Sequence, residues 1–122
     1  MPDAAAPIYH MTPRSLWEEQ AAATAFAPPS LSDEGFIHCT AEPDRLLLVA
    51  NRFYRDLPGA FIIVRVAPER LTATLRWEMA DDHLFPHLYG PLNMDAVEQI
   101  IDFPRRADGT FCLPPEMSLS EV

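Results

Sequence analysis

Short runs in which hydrophobic and polar residues alternate predict several β-strands. The clearest is residues 60–66, where β-branched residues are dense enough for a central strand that is covered on both faces. Further strands are predicted at residues 8–11, 36–40, 72–79, 84–90 and 110–113. Pro86 lies inside one of these runs. Because proline lacks a backbone donor, we expect it at a sheet edge or at a bulge.

Helical periodicity predicts helices at residues 13–24, 43–56 and 94–102. The second is the most regular, because its hydrophobic residues follow the i, i+3, i+4, i+7 spacing of one buried face, namely Leu46, Val49, Ala50 and Phe53. Between the first two helices, Ala27–Ser30 indicates a break and Ser32–Gly35 a turn. The helices are inserted unevenly among the strands. This pattern predicts an α+β fold rather than a doubly wound parallel sheet.

Length and composition are those of one folded domain. The chain has 122 residues, of which 48% are hydrophobic and 22% charged, so it can bury a core of its own. We predict a single domain at residues 8–116, a disordered lead-in at residues 1–7 and a tail at residues 117–122. Its two cysteines are too few for a disulfide framework and are predicted to be free thiols.

The charge excludes some classes of partner. The net charge is -9 and lysine is absent, so a broad basic surface for nucleic acid is not expected. No apolar run approaches the roughly 20 residues that span a bilayer, and no signal peptide is evident, so neither a membrane partner nor export is expected. We therefore expect a cytoplasmic protein. The sequence indicates no oligomeric state.

Histidines recur on strand faces that otherwise suit a core. Side chains alternate along a strand, so His10, His38 and His87 are each expected beside hydrophobic residues on one face. A half-buried imidazole is costly unless it is bonded or used, and Arg76 and Glu78 repeat the pattern on another strand. These positions predict a shared polar cleft. Its candidate residues are His10, Thr12, His38, Thr40, Arg76, Glu78, His87 and Tyr89.

Several chemistries are conceivable in this cleft. Three neutral imidazoles could hold zinc, but their spacing matches no known ligand motif, so no metal is predicted. Cys39 follows His38 directly, so the two side chains point to opposite faces and do not form a nucleophile pair. Arg76 could bind a phosphate and Glu78 could act as a base, but a surface ion pair between them is the structural alternative.

Four strings of residues are familiar from a known family. They are Ile8–Thr12, Glu34–Thr40, Leu75–Glu78 and Leu84–Asn93. Through them the chain resembles domain-of-unknown-function family 952, a family of small bacterial proteins, from Ile8 to about Pro114. The family usually has serine where this chain has Thr40, and the substitution keeps the hydroxyl group.

The resemblance implies a fold related to the ADP-ribosyltransferases: a split, strongly bent sheet that opens into a cleft, with about three flanking helices. In those enzymes a histidine or arginine on the first strand grips a ribose of NAD, and His10 matches it by position. Their stacking aromatic residue and late glutamate have no established equivalents in this sequence. The residues alone establish no cofactor, whereas the resemblance points to NAD.

The leading hypothesis is a cleft that binds a nucleotide-like or ADP-ribose-like ligand, with transfer or hydrolysis of ADP-ribose as the expected chemistry. Glu78 and His38 are the catalytic candidates, Arg76 would pair with a phosphate, and Tyr89 would stack. His10, Thr12, Thr40 and His87 complete the ligand-binding set. The alternative is a non-catalytic binding or interaction module whose histidines are structural.

Overall fold

The computed structural model describes residues 6–117. The predicted lead-in at residues 1–7 and tail at residues 117–122 lie outside the described residues except at their inner ends. Within 6–117 the fold is α+β. The helices are α1 (Arg14–Gln20), α2 (Pro29–Glu34) and α3 (Pro43–Phe53). The strands are β1 (Ile8–Pro13), β2 (Ala25–Phe26), β3 (Ile37–His38), β4 (Phe61–Val66), β5 (Thr74–Ala80), β6 (His83–Tyr89), β7 (Leu92–Asn93) and β8 (Val97–Phe103).

Two three-stranded antiparallel sheets carry most of the strands. The first has the order β1-β4-β8 and the second the order β3-β6-β5. They meet edge to edge at one bridge, where Tyr9 and Thr40 each donate a backbone N–H to the other's carbonyl at 2.8 Å. A short pair, β2 with β7, lies beside them. This junction, called the seam below, brings β1 next to β3.

The core lies on both faces of β4. Ile62 and Val64 pack into a cluster that includes Phe26 of β2, while Ile63 packs with Leu46 of α3 on the opposite face. Every residue of β4 except Arg65 is buried. The prediction of a central strand covered on both faces is therefore confirmed. The predicted buried face of the second helix is confirmed at Leu46 and Ala50 and is wrong at Phe53, which is exposed.

The predicted helix at residues 94–102 is wrong. Met94–Ala96 forms a single 3₁₀ turn, and the following residues form β8, which pairs with β4 from Val97 to Phe103 with one register shift at Glu98. Ile101 is buried whereas Ile100 is 39% exposed, which is the alternation of a strand. The spacing of the hydrophobic residues here fits both a helix and a strand, and pairing with the central strand decides for the strand.

A helix, α2, occupies the segment predicted as a break and a turn. Pro29 is its first residue, where the missing N–H has no partner to lose. Gly35 ends it at φ 90°, in the left-handed region, and donates its N–H to the Leu31 carbonyl at 3.0 Å. The number of α-helices predicted is therefore right, but one of the three was predicted in the wrong place.

Three smaller differences concern the ends of elements. The first helix stops at Gln20 instead of running to residue 24, and Ala25–Phe26 forms β2. The second helix stops at Phe53. The strand predicted at residues 110–113 is reduced to one bridge between Phe111 and Arg105.

Pro86 lies in β6, which is the middle strand of its sheet, and not in an edge strand as predicted. Its carbonyl accepts the Cys39 N–H at 3.1 Å, so the missing Pro86 N–H also faces the β3 side. Because β3 ends at His38, Pro86 lies opposite Cys39, the residue that follows that strand. The proline therefore removes no ladder hydrogen bond to β5.

Within residues 6–117, no helix is both long enough and apolar enough to cross a membrane.

Candidate functional site

Five of the predicted polar side chains, including Tyr89, share one face of the second sheet. His38 of β3 pairs with His87 of β6, and His87 pairs with Arg76 of β5. Glu78 lies two residues from Arg76 and shares its face, because strand side chains alternate. The tight turn between β5 and β6 sets this register, with the two aspartates at 81 and 82 both at positive φ.

A carboxylate holds His87 in place. The Nδ1–H group of His87 donates to Oε1 of Glu78 at 2.8 Å, and the Tyr89 hydroxyl donates to the same oxygen at 2.6 Å. These donors, Tyr89 first, hold the pKa of Glu78 below its ordinary value, while the bond to Glu78 raises the pKa of Tyr89. Glu78 is therefore an anion that fixes the ring of His87, and Nε2 is the nitrogen left open.

The aromatic ring of Phe36 contacts both His87 and His38. The ring of Phe36 stacks on His87, with centroids 4.3 Å apart and planes at 28°. Phe36 also contacts the ring of His38 at 4.7 Å. His38 itself is about half exposed, and its Nε2–H donates to Glu34 at 3.1 Å. The rings of Phe36, His38 and His87 therefore form one wall, whose polar atoms are the imidazole nitrogens.

His10 lies at the seam between the two sheets. Its Nδ1–H donates to the backbone carbonyl of His38 at 2.7 Å, and its ring lies 5.9 Å from the Phe26 ring. Burial lowers the pKa of His10 from 6.5 to about 4, so the ring is neutral at pH 7. Its Nε2 atom is buried and lacks a hydrogen-bond partner within residues 6–117.

A cleft of about 710 Å³ opens along the seam. It takes residues from β1, β3 and β6, and its walls come from the three α-helices. Of the predicted set it is lined by His10, Thr12, His38, Thr40 and His87. The structure therefore brings these five together. Glu78 reaches the cleft only through its bond to His87.

The remaining two predicted residues lie outside the cleft lining. The guanidinium of Arg76 lies 5.2 Å from the ring centre of Tyr89, and both side chains are exposed. Glu78 takes its hydrogen bonds from Tyr89 and His87, and the charge of Arg76 is a smaller contribution to its lowered pKa. The alternative of a simple Arg76–Glu78 ion pair does not describe this geometry.

Sequence reasoning missed the parts of the cleft that come from helices. Glu34 ends α2 and binds His38, and Val49 and Phe53 of α3 line the opposite side. Glu34 precedes His38 by four residues, but the sequence indicates a contact between them only once α2 is recognised. Residue Phe53 was predicted to face inward and is instead 56% exposed at the mouth of the cleft.

Cys39 takes no part in the polar face. It is among the residues of the cleft lining, but it is only 4% exposed and packs in the core cluster with Ile37, and burial raises the pKa of its thiol to about 12. The expected separation of this thiol from His38 is confirmed. Among residues 6–117, no three histidine, cysteine or carboxylate side chains are arranged as a metal site.

Comparisons with known proteins give a family and a fold. A family model described as "Protein of unknown function (DUF952)" matches residues 11–100. The crystal structure of protein CC0527 from Caulobacter crescentus matches with a TM-score of 0.80 and 29% identity, over 93% of this chain and 99% of that one. A crystal structure of a double mutant of CC0527 has a TM-score of 0.80 and 28% identity, over 93% of this chain and 99% of that one.

A third match agrees with these. The solution NMR structure of CC0527 has a TM-score of 0.75 and 28% identity, over 93% of this chain and 98% of that one. No curated protein sequence matches the chain. Neither the family nor these structures carry a ligand or a reaction in their names.

Proposed function

The chain belongs to DUF952, a family of proteins of unknown function, and we propose that its cleft binds a nucleoside-like ligand. By this we mean a planar heterocycle that carries hydroxyl groups and no net negative charge. The observation that carries the proposal is the stacked Phe36–His87 pair at the wall of a 710 Å³ cleft. A pocket of this size, mostly apolar with a few placed polar groups, is typical of small-molecule sites.

The wall suits a flat ring. Phe36 and His87 stack on each other and line the cleft as one aromatic unit, and Phe85 and Tyr54 also line it. Aromatic side chains hold planar ligands by offset or edge-to-face contacts worth ~0.5–1.5 kcal/mol each beyond the burial of apolar area. The imidazole edges of His38 and His87 then lie within reach of polar groups attached to such a ring.

The charge of the lining argues for a nucleoside rather than a whole dinucleotide. The described residues that line the cleft include two carboxylates, Glu34 and Asp81, and no arginine. A diphosphate placed here would meet like charge, and Arg76, the expected phosphate partner, lies outside. NAD and ADP-ribose therefore fit this lining less well than the nucleoside portion alone. Two sheets that meet at one bridge remain compatible with the implied ADP-ribosyltransferase likeness.

His87 is the residue best placed for proton transfer. With Nδ1–H bonded to Glu78, its open Nε2 can accept a proton from water or from a hydroxyl group. In hydrolysis of an N-glycosidic bond, water would attack C1′ while the ring nitrogen leaves with the bonding electron pair. Nε2 would take the proton of that water. Glu78, predicted as a catalytic carboxylate, acts in this scheme by positioning His87.

Titration of ¹⁵N-labelled protein with adenosine, ADP-ribose and NAD tests the proposal by two-dimensional NMR. We expect adenosine to give saturable shifts at Phe36, His38 and His87. Phe36→Leu should weaken its binding, whereas Glu69→Gln, at an exposed glutamate that does not line the cleft, should leave it unchanged. Preference for ADP-ribose or NAD would overturn the argument from charge. No shifts at millimolar adenosine would overturn the nucleoside site.

One observation favours the second candidate, a module with structural histidines. His10 ties β1 to β3 across the seam through its bond to the His38 carbonyl. On this account His10→Ala and Glu78→Gln lower the melting temperature, by a few degrees per kcal/mol, and leave adenosine binding as it is. The same titration, repeated on these variants beside thermal denaturation, separates the two candidates.

A further inference from the structure

The three histidines of the cleft each have one nitrogen engaged with the protein. Nδ1 of His10 bonds the His38 carbonyl at 2.7 Å, Nε2 of His38 bonds Glu34 at 3.1 Å, and Nδ1 of His87 bonds Glu78 at 2.8 Å. Carbonyl and carboxylate oxygens accept and do not donate, so each of these ring nitrogens carries the proton.

The fold thereby determines what the opposite nitrogen can do. In a neutral imidazole with one N–H, the second nitrogen is an acceptor with a free lone pair. These open atoms are Nε2 of His10, Nδ1 of His38 and Nε2 of His87, and none has a protein partner within residues 6–117. All three rings line the same cleft. The set of open nitrogens is called the acceptor array.

We infer that the acceptor array selects ligands by the hydrogen-bond donors they carry, such as hydroxyl, amide or amino groups. The inference rests on the proposed function, which places the ligand in this cleft. Carboxylate oxygens of Glu34 and Asp81 in the lining add to the preference, because they too only accept. A ligand group that can only accept leaves these atoms unpaired, and burial of unpaired polar groups is costly.

The first test concerns the histidines alone and needs no ligand. Long-range ¹H–¹⁵N correlation spectra at pH 8 report which nitrogen of each ring carries the proton. We expect the Nδ1–H tautomer for His10 and His87 and the Nε2–H tautomer for His38. The reverse tautomer at any of the three removes a member of the acceptor array and overturns the inference.

The second test compares adenosine with 2′,3′-dideoxyadenosine, which keeps the ring and loses two hydroxyl donors. We expect binding of the dideoxy compound to be weaker by about tenfold or more, the effect of roughly one neutral hydrogen bond. In Glu69→Gln, at a residue outside the cleft lining, the ratio of the two affinities should stay the same.

The outcomes separate this inference from the function on which it rests. Equal affinities for the two compounds overturn donor selection and leave the nucleoside site standing. No shifts with either compound overturn the proposed function and, with it, the selection. Zn²⁺ added alone provides a third arm: stoichiometric uptake that perturbs all three imidazoles would make the open nitrogens metal ligands and overturn the inference.

Discussion

Acid should destabilise the protein through His10. The ring is 7% exposed, and its pKa is about 4 in the folded chain against 6.5 for an ordinary histidine. The unfolded chain therefore takes up a proton at a higher pH than the folded chain does. The resulting stability is fully present above pH 6.5 and is lost as the pH falls from 6.5 towards 4.

The size of the loss follows from the same two pKa values. At ~1.4 kcal/mol for each tenfold difference in proton affinity, the complete loss is about 3 kcal/mol, of which about 2 kcal/mol is lost by pH 5. That is a large part of the 5–15 kcal/mol, roughly, that holds a domain folded. Desolvation is the largest cause of the lowered pKa, so the loss of stability in acid comes from the burial of this ring at the seam.

Urea denaturation of the native chain and of His10→Asn, at pH 7.5 and pH 5, measures the effect. The introduced asparagine amide can still donate to the His38 carbonyl and does not titrate, so carboxylate contributions common to both proteins cancel in the comparison. We expect the native chain to lose about 2 kcal/mol more than the variant between these pH values. Equal losses, or an NMR midpoint for His10 near 6.5, would refute the reasoning.

Three further predictions follow from other contacts. Tyr89→Phe removes the strongest donor to Glu78, so the pKa of that carboxyl should rise towards its ordinary value in ¹³C NMR titrations; an unchanged value would contradict the assignment. In urea denaturation, Gly109→Ala should lower the free energy of unfolding more than Gly35→Ala does. Both glycines have φ near 90°, where an alanine is strained by ~1–2 kcal/mol, but only at Gly109 would the added Cβ also lie 2.5 Å from a carbonyl oxygen. Under native conditions Cys39 should resist iodoacetamide, as peptide mass spectrometry can check, and its rapid labelling would contradict its burial.

The elements that sequence predicted well are those in which local preference and tertiary environment agree. β4 combines β-branched residues with cover on both faces, and α3 combines a proline at its start with a buried stripe from Leu46 to Ala50. By contrast, Val97, Ile100 and Ile101 fit a helical spacing and also a strand. Their conformation depends on the free edge of β4, which is distant in sequence.

The candidate site also has a part that the sequence could predict and a part that it could not. Alternation along single strands correctly grouped His87 with Tyr89, and Arg76 with Glu78, on their strand faces. The register between the two strands was also available, because a two-residue turn at Asp81 and its neighbour fixes every pair in the hairpin. That register brings Glu78 within reach of His87. The placement of the cleft could not be predicted, since it depends on how α2 and α3 pack against the seam.

One energetic cost at the seam bears on the role of His10. This residue satisfies Nδ1 with a carbonyl but leaves Nε2 buried and unpaired within the described chain, which costs ~1–3 kcal/mol. A residue needed only to join β1 to β3 could be an asparagine, whose short amide donates in the same place without a second ring nitrogen to desolvate. Imidazole at this position adds an acceptor beside a cleft that already holds two others. The binding of a donor there would offset the cost, and this supports the proposal that His10 serves recognition as well as the fold.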